Sequence, residues 1–337
     1  MRAFVFEEPG AGNVKQVDIK TLHEEDVLLK VERCGVCGTD IHIWTGTESA
    51  ARNVILGHEY AGVIVEIGSK VEGYSVGERV TIDPNITCGV CEFCRDGKVN
   101  LCSNLRALGV DIDGGFAEYS IVPFSQIYKI PAQISWNEAA MVEPLACALH
   151  GVDRAEIMAG MDVAIIGGGP IGLMMIQLVR LKGANKILLS EKSQWRRSIA
   201  ESLGADIIID PAKASLREQI KRYGNPDVVI ECVGIPQCQE EAVTIAKRGG
   251  TVLLFGCGPI GKSFSVGSFD VYFNELTIKG SALNPFTHAR AVKLISQKRI
   301  DVKSLVSDEI GLEEISHLLR SGYQEKDLKI VVNPAHS

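Results

Sequence analysis

The sequence predicts a two-part α/β plus β protein, with a β-rich, barrel-like part followed by a doubly wound parallel sheet. Three observations carry this. The first 130 residues run in short Val-, Ile- and Gly-rich stretches broken by turn residues. From Met161 onward, apolar strand-like runs alternate with helical ones, the pattern of a parallel sheet covered by helices on both faces. The length, 337 residues, suits about two domains.

Taken in order, the runs 26–32 (DVLLKVE), 59–68 (EYAGVIVEIG), 77–82 (GERVTI) and 116–122 (FAEYSIV) read as short strands of a barrel. A polar, cysteine-rich lobe interrupts them. Around Ser135 the spacing becomes helical in SWNEAAMVEPLACALHGVDRA. Ser135 and Glu138 form a capping-box pattern, and Pro144 is expected to kink or end a helix. DVAIIGGG then opens a series of β-α units that closes with TVLLFG, read as an edge strand able to pair with a partner. The last 50 residues add one or two helices and a final strand, DLKIVV.

Composition excludes several classes. Hydrophobic residues make up 46% and charged residues 23%, ordinary for a globular protein. No apolar run reaches membrane-spanning length. The opening MRAFVFEEPG has acids and a proline where a signal peptide needs an apolar core. These features predict a cytoplasmic protein with reduced thiols. A net charge of −7 argues against nucleic acid or an anionic membrane as partner.

Cys88, Cys91, Cys94 and Cys102 fall within fifteen residues as C-x2-C-x2-C-x7-C. That spacing lets four thiolates close a tetrahedral shell around one zinc, leaving no position for substrate. Such an ion is structural. Cys147, Cys232, Cys238 and Cys257 read as buried small hydrophobes.

Gly167, Gly169 and Gly172 form G-x-G-x-x-G between an apolar strand and an apolar helix beginning Pro170-Ile171. The first glycine permits a tight turn, the second lets the backbone approach a pyrophosphate, and the third lets helix and strand pack closely. The helix N-terminus offers free N–H groups to phosphate. Glu191 follows Gly172 by 19 residues, where an acid grips the ribose 2′-hydroxyl. This favours NAD over NADP. Arg196 and Arg197 lie where they could reach a 2′-phosphate, although a helix start with exposed arginines is the commoner situation.

Upstream stand Cys34-Gly-Val-Cys37-Gly-Thr39-Asp40-Ile-His42, then Gly57-His58-Glu59, then Glu143-Pro144. A thiolate, an imidazole and a carboxylate with one open position make a catalytic zinc site. Alone, His58 reads more often as a structural histidine. The C-x-x-C at 34–37 also matches a redox pair or half a structural zinc site. The second of these lacks a free C-x-x-C partner, and the first is expected in a βαβ context.

In order, C-G-V-C-G-T-D-I-H, G-H-E-Y-A-G, the four-cysteine lobe and G-G-G-P-I-G resemble the zinc-dependent medium-chain dehydrogenases over essentially the whole chain. The resemblance implies a GroES-like catalytic domain at 1–150, with its zinc lobe at about 84–105 and completed by 285–337. It also implies a Rossmann NAD-binding domain at 151–284, and a homodimer or homotetramer. Each chain then carries two zinc ions and binds NAD. Cys37 and His58 are implied zinc ligands. Glu59 is implied as a ligand or a carboxylate just outside the ligand set, and Glu143 occupies the third protein ligand's place. Which carboxylate binds directly stays open. Cys34 matches no ligand position. Thr39 and His42 match a relay that carries the alcohol proton to solvent, and a histidine pKa near 6.5 suits that exit.

The segment E-P-L-A-C-A-L-H-G is similar to the sorbitol dehydrogenase branch, so a polyol or other secondary alcohol is the expected substrate. The N-terminal half is also similar to threonine dehydrogenases. Those usually carry Asp-Pro-Phe-Gly-Asn where this chain has Glu143-Pro144-Leu145-Ala146-Cys147, and a histidine where it has Asp83-Pro84-Asn85-Ile86. A polyol phosphate would need a basic pocket, for which His288, Arg290 and Lys293 are candidates, although they fit the solvated face of a helix better. Zinc-free relatives that only bind NAD(P)H lack the metal ligands present here.

Overall fold

A computed structural model describes residues 1–258 and 260–336. They divide into two units, Met1–Ala146 with Pro285–Ser337, and Cys147–Asn284.

The first unit is built on a seven-stranded sheet. Its path runs Ile127–Lys129, Arg79–Ile82, Glu59–Ile67, Asp26–Gly35, Lys329–Val332 and Val306–Ile310, with Tyr119–Pro123 also paired to Asp26–Gly35. A three-stranded sheet of Ala11–Gln16, Arg2–Glu8 and Val54–Ile55 accompanies it. Alternating side chains of the long strand, Val27, Leu29 and Val31, turn into a core that includes Phe4, Ile43, Leu56, Tyr60 and Phe116.

Three strands meet at Gly35. It pairs with Glu59 on one side and Val331 on the other. A β-carbon at Gly35 would fall 2.2 Å from Glu59 Oε2, so only glycine lets the strand pass that carboxylate. The chain then turns into a helix, Gly38–Thr45. Neither this helix nor the strand Val306–Ile310 is anticipated by the sequence patterns, because both are short and neither shows clean periodicity.

The cysteine lobe is clasped by the small antiparallel pair Asn85–Ile86 and Arg106–Ala107. Inside it are a short α-helix, Glu92–Arg95, a single 3-10 turn, Val99–Leu101, and left-handed turns at Gly89 and Gly97.

Ser135 caps the helix Trp136–Ala140 as expected, its Oγ accepting from Glu138 N–H while Glu138 Oε2 accepts from Ser135 N–H at 2.8 Å. Pro144 differs from expectation. The helical run breaks at Met141, and Pro144 sits in the first turn of the next helix, Val142–Arg154. There its missing N–H costs nothing.

The second unit is a six-stranded parallel sheet in the order Ile207–Ile209, Ile187–Ser190, Val163–Ile166, Val228–Glu231, Thr251–Leu254, Thr277–Gly280. The run TVLLFG is therefore not an edge. Thr251–Leu254 is paired on both sides, and Thr277–Gly280 is the outer strand. A continuous apolar run such as VLLF belongs inside a parallel sheet, where both faces are covered. Among the described residues no helix is long and apolar enough to cross a membrane.

Candidate metal and cofactor sites

In the first unit the strand geometry brings Cys37, His58 and Glu59 together, with one ligand atom of each within 4.8 Å of the others. Cys37 is half-buried at the start of the helix Gly38–Thr45, while His58 and Glu59 are buried. Glu143 is also buried, in the first turn of Val142–Arg154, close enough for its charge to act on His58 but outside that three-residue group.

Two residues that pattern reading passed over complete the surroundings. Asp40 is wholly buried. One carboxylate oxygen accepts from Cys37 N–H at 2.8 Å, and the other lies 3.7 Å from His58 Nδ1. Asp40 stands in plain view in the C-G-T-D motif, and the signal for its role was its place three residues after a helix-capping position. Lys329 comes from the far end of the chain. Its ammonium donates to both oxygens of Glu59, at 2.8 and 2.6 Å, and to the Val36 carbonyl at 2.8 Å. Tyr323 Oη donates to the same carbonyl at 2.6 Å.

The electrostatics are those of a cation site. Burial works to lower the His58 pKa, yet the charges of Asp40, Cys37 and Glu143 outweigh it and hold the pKa well above the ordinary value. Burial likewise raises Asp40, with His58 and the Cys37 N–H opposing. Burial also works against the Lys329 charge, but Glu59 prevails and the ammonium is held more firmly than usual. Several buried anionic groups thus surround one imidazole, and both Asp40 Oδ1 and His58 Nδ1 lack hydrogen-bond partners. With Nδ1 turned to Asp40, Nε2 is the nitrogen left for a metal. A thiolate and an imidazole suit zinc. Glu59 has both oxygens engaged by Lys329 in this arrangement.

Thr39 is half-buried within the helix Gly38–Thr45. His42 lies one turn on, its side chain 42% exposed and 4.0 Å from Glu48. Cys34 is fully buried, with its thiol pKa raised by burial, and belongs to the core.

The sulfurs of Cys88, Cys91, Cys94 and Cys102 also lie within 4.8 Å of one another. Backbone N–H groups point at them: Cys88 N–H donates to Cys102 Sγ, Cys91 N–H to Cys88 Sγ and Asn104 N–H to Cys102 Sγ, at 3.3–3.4 Å. Hydrogen bonds from the Val90 and Cys91 backbones bring the Cys88 thiol down to about 6. Cys94 is pushed up to about 12 by burial and by the sulfurs of Cys91 and Cys102. Four sulfurs this close resist collective ionisation unless a cation joins them, which zinc would do.

In the second unit the glycine loop opens the helix Pro170–Leu181, with Gly169 as its cap and Pro170 and Ile171 in its first turn. Gly167 is left-handed, and a β-carbon on Gly172 would strike Gly167 O at 1.9 Å. Nothing lies within 4 Å of a β-carbon placed on Gly169. That open backbone is the cradle a pyrophosphate requires. Glu191 accepts from Gly168 N–H at 2.6 Å and Ser193 N–H at 2.8 Å, so its carboxylate is fixed beside the loop.

Arg197 is committed elsewhere, donating to the Glu191 and Lys192 carbonyls and pairing with Asp210 at 3.1 Å. Its guanidinium is thus already engaged, whereas the sequence left it open to reach a 2′-phosphate. Arg196 is half-buried on the same helix, Gln194–Ser202. Cys257 is exposed, against the expectation of burial, because it lies in a loop after a strand end. His288 departs furthest from expectation. It is not on a solvated helix face but wholly buried, stacked on Tyr128 and 3.6 Å from Asp83. Arg290 and Lys293 are exposed.

Residues 23–132 match the alcohol dehydrogenase GroES-like domain and residues 170–297 the zinc-binding dehydrogenase domain. The chain is 33% identical over 340 residues to D-arabinitol dehydrogenase 1 of Uromyces fabae, covering 99% of this chain and 97% of that protein. The chain belongs to the zinc-dependent medium-chain dehydrogenases. It is also 37% identical over 286 residues to an L-threonine 3-dehydrogenase of Pyrococcus horikoshii, covering 82% of this chain and 80% of that one. A zinc-binding dehydrogenase of Sinorhizobium meliloti 1021, solved bound to NADP, superposes with a TM-score of 0.96 at 42% identity over 99% of both chains. Membership of this family makes the chain an oxidoreductase that uses zinc and a nicotinamide dinucleotide.

Proposed function

We propose that this dehydrogenase oxidises a secondary alcohol group of a polyol or sugar alcohol, with NAD as acceptor. The observation that carries this reading is the anionic cluster of half-buried Cys37 with buried His58, Asp40 and Glu59, which offers a cation a thiolate and a nitrogen. Zinc held there would polarise the alcohol oxygen and lower its pKa, and the nicotinamide supplies the hydride chemistry.

The chain's own residues do the rest. Cys37 Sγ and His58 Nε2 are the proposed ligands, and the buried Asp40 carboxylate, 3.7 Å from His58 Nδ1, favours a proton on that nitrogen and leaves Nε2 for the metal. Lys329 neutralises Glu59 and keeps it beside the site, so Glu143 or Glu59 remains the third candidate donor. Thr39 would accept the alcohol proton while handing its own hydroxyl proton on by way of the nicotinamide ribose to half-exposed His42, which releases a proton to water. The closed cluster Cys88, Cys91, Cys94 and Cys102 holds the second, structural zinc. Gly167, Gly169, Pro170, Ile171, Gly172, Glu191 and Arg196 bind the dinucleotide.

L-Threonine is the second reading, favoured by the 37% identity to a threonine dehydrogenase over 82% of the chain. Against it stand Glu143-Pro144-Leu145-Ala146-Cys147 and Asp83-Pro84-Asn85-Ile86. The polyol-phosphate reading loses one of its three candidate basic residues with the burial of His288. NADP is the second reading for the cofactor, favoured by the NADP-bound relative. A homodimer or homotetramer is part of the proposal. Phe269, Tyr272 and Phe273 are exposed just before the outer strand Thr277–Gly280, and light scattering of the purified protein tests it.

The deciding experiment is a panel of polyols, diols, L-threonine and polyol phosphates, each with NAD and NADP. Highest kcat/KM for a polyol with NAD supports the reading, and highest kcat/KM for L-threonine overturns it.

A further inference from the structure

The parallel sheet reverses its winding between Val163–Ile166 and Val228–Glu231, and a dinucleotide binds outside the strand ends at such a point. Glu231 is the last residue of its strand there, in register with Ile166. Its side chain is completely buried. One oxygen, Oε1, accepts from Val233 N–H at 2.6 Å and Gly234 N–H at 2.9 Å, and the other has no hydrogen-bond partner. Its main-chain carbonyl accepts from Phe255 N–H at 2.9 Å and Gly256 N–H at 2.8 Å. One residue therefore ties together the loops that follow two neighbouring strands.

Those loops pack backbone to backbone. A β-carbon on Gly256 would lie 2.2 Å from Gly234 N, and Gly234 is left-handed at φ 82°. The tie reaches the glycine loop as well. Val233 Cγ2 would stand 2.7 Å from a β-carbon on Gly167, the first glycine of the motif. Val233 is still 44% exposed, so part of its surface remains free for a ligand. A buried carboxylate is costly to maintain, and burial raises the Glu231 pKa against the two N–H donors. A core packing role alone would be met by an apolar residue.

We propose that Glu231 is a positioning residue for the dinucleotide: through Oε1 it sets the Val233–Gly234 backbone, and through Val233 it sets the crevice beside the glycine loop. This rests on the chain binding a nicotinamide dinucleotide. The test is NADH affinity by fluorescence titration of the zinc-loaded protein, with KM for NAD and kcat measured alongside. Glu231→Ala should weaken NADH binding and raise KM at least about tenfold, with kcat at saturating NAD within about threefold, while Glu231→Gln, which keeps the accepting oxygen, recovers to within about threefold. Wild-type affinity in Glu231→Ala overturns the proposal, as does Glu231→Gln binding as weakly as Glu231→Ala. Should Glu231→Ala fail to fold, Val233→Ala leaves the carboxylate and its donors in place. It too should weaken NADH binding, and unchanged affinity overturns the proposal. Failure of the wild type to bind NADH would instead remove the cofactor reading on which this rests.

Discussion

Lys329 and Glu59, 270 residues apart, form a buried bidentate ion pair at 2.6 and 2.8 Å. The lysine comes from the last strand of the first unit, and the glutamate directly follows His58. Both side chains are buried, so the pair compensates charges that would otherwise be costly to desolvate. The same ammonium and the Tyr323 hydroxyl both hold the Val36 carbonyl, which fixes the turn that presents Cys37. The C-terminal segment thus shapes the surroundings of the proposed metal site.

Lys329→Met should be strongly destabilising, by about 3 kcal/mol or more, because it strands a buried carboxylate. Adding Glu59→Gln should recover a large part of that loss, since the double variant buries no charge. Chemical unfolding of the wild type, both single variants and the double variant checks this. Additive losses would show that the pair does not couple.

Cys37→Ala or His58→Ala should abolish alcohol oxidation while the fold persists. Cys91→Ser should instead lower thermal stability and zinc content, because metal binding by the closed cluster is folding free energy. Metal analysis, unfolding curves and turnover on the same preparations separate the two sites. Full turnover in either of the first pair removes them as ligands.

Glu191 should give NAD at least about a tenfold advantage over NADP in kcat/KM, since a carboxylate fixed beside the glycine loop repels a 2′-phosphate. Glu191→Ser should erase most of that advantage by removing the repulsion and the ribose contact together. Steady-state kinetics with both cofactors decides it. Equal use of NADP by the wild type would mean that Arg196 governs this site.

Burial holds the His288 imidazole below its ordinary pKa of 6.5, and Asp83 only partly offsets this. The unfolded chain then binds a proton where the folded chain does not. The His288 contribution to stability is therefore fully present above about pH 6.5 and is lost as pH falls below it. In His288→Phe, which preserves the stack on Tyr128, the fall in unfolding free energy between pH 7.5 and 5.5 should shrink by about 1 kcal/mol. Denaturant titrations at the two pH values measure it. An unchanged difference would mean that His288 is protonated in the folded chain.

The sequence by itself determined what depends on near neighbours. The alternation of strand and helix from Met161, the capping box at Ser135 and the glycine turn at Gly167 are local, because each is governed by the conformations and hydrogen bonds of residues a few positions apart. The cysteine spacing of the lobe is legible for the same reason: a short loop can reach one point in space in few ways. Tertiary structure alone decided the rest. Whether Thr251–Leu254 is an inner or an outer strand depends on where Thr277–Gly280 pairs, and an apolar tetrapeptide carries no record of its neighbours. The burial of His288 depends on Tyr128 and Asp83, far away in the chain. Asp40 and Lys329 look like ordinary surface charges in the sequence. They come to surround the proposed metal site only when three strands converge on Gly35, because a buried charge is defined by partners that the sheet, not the local chain, brings within reach.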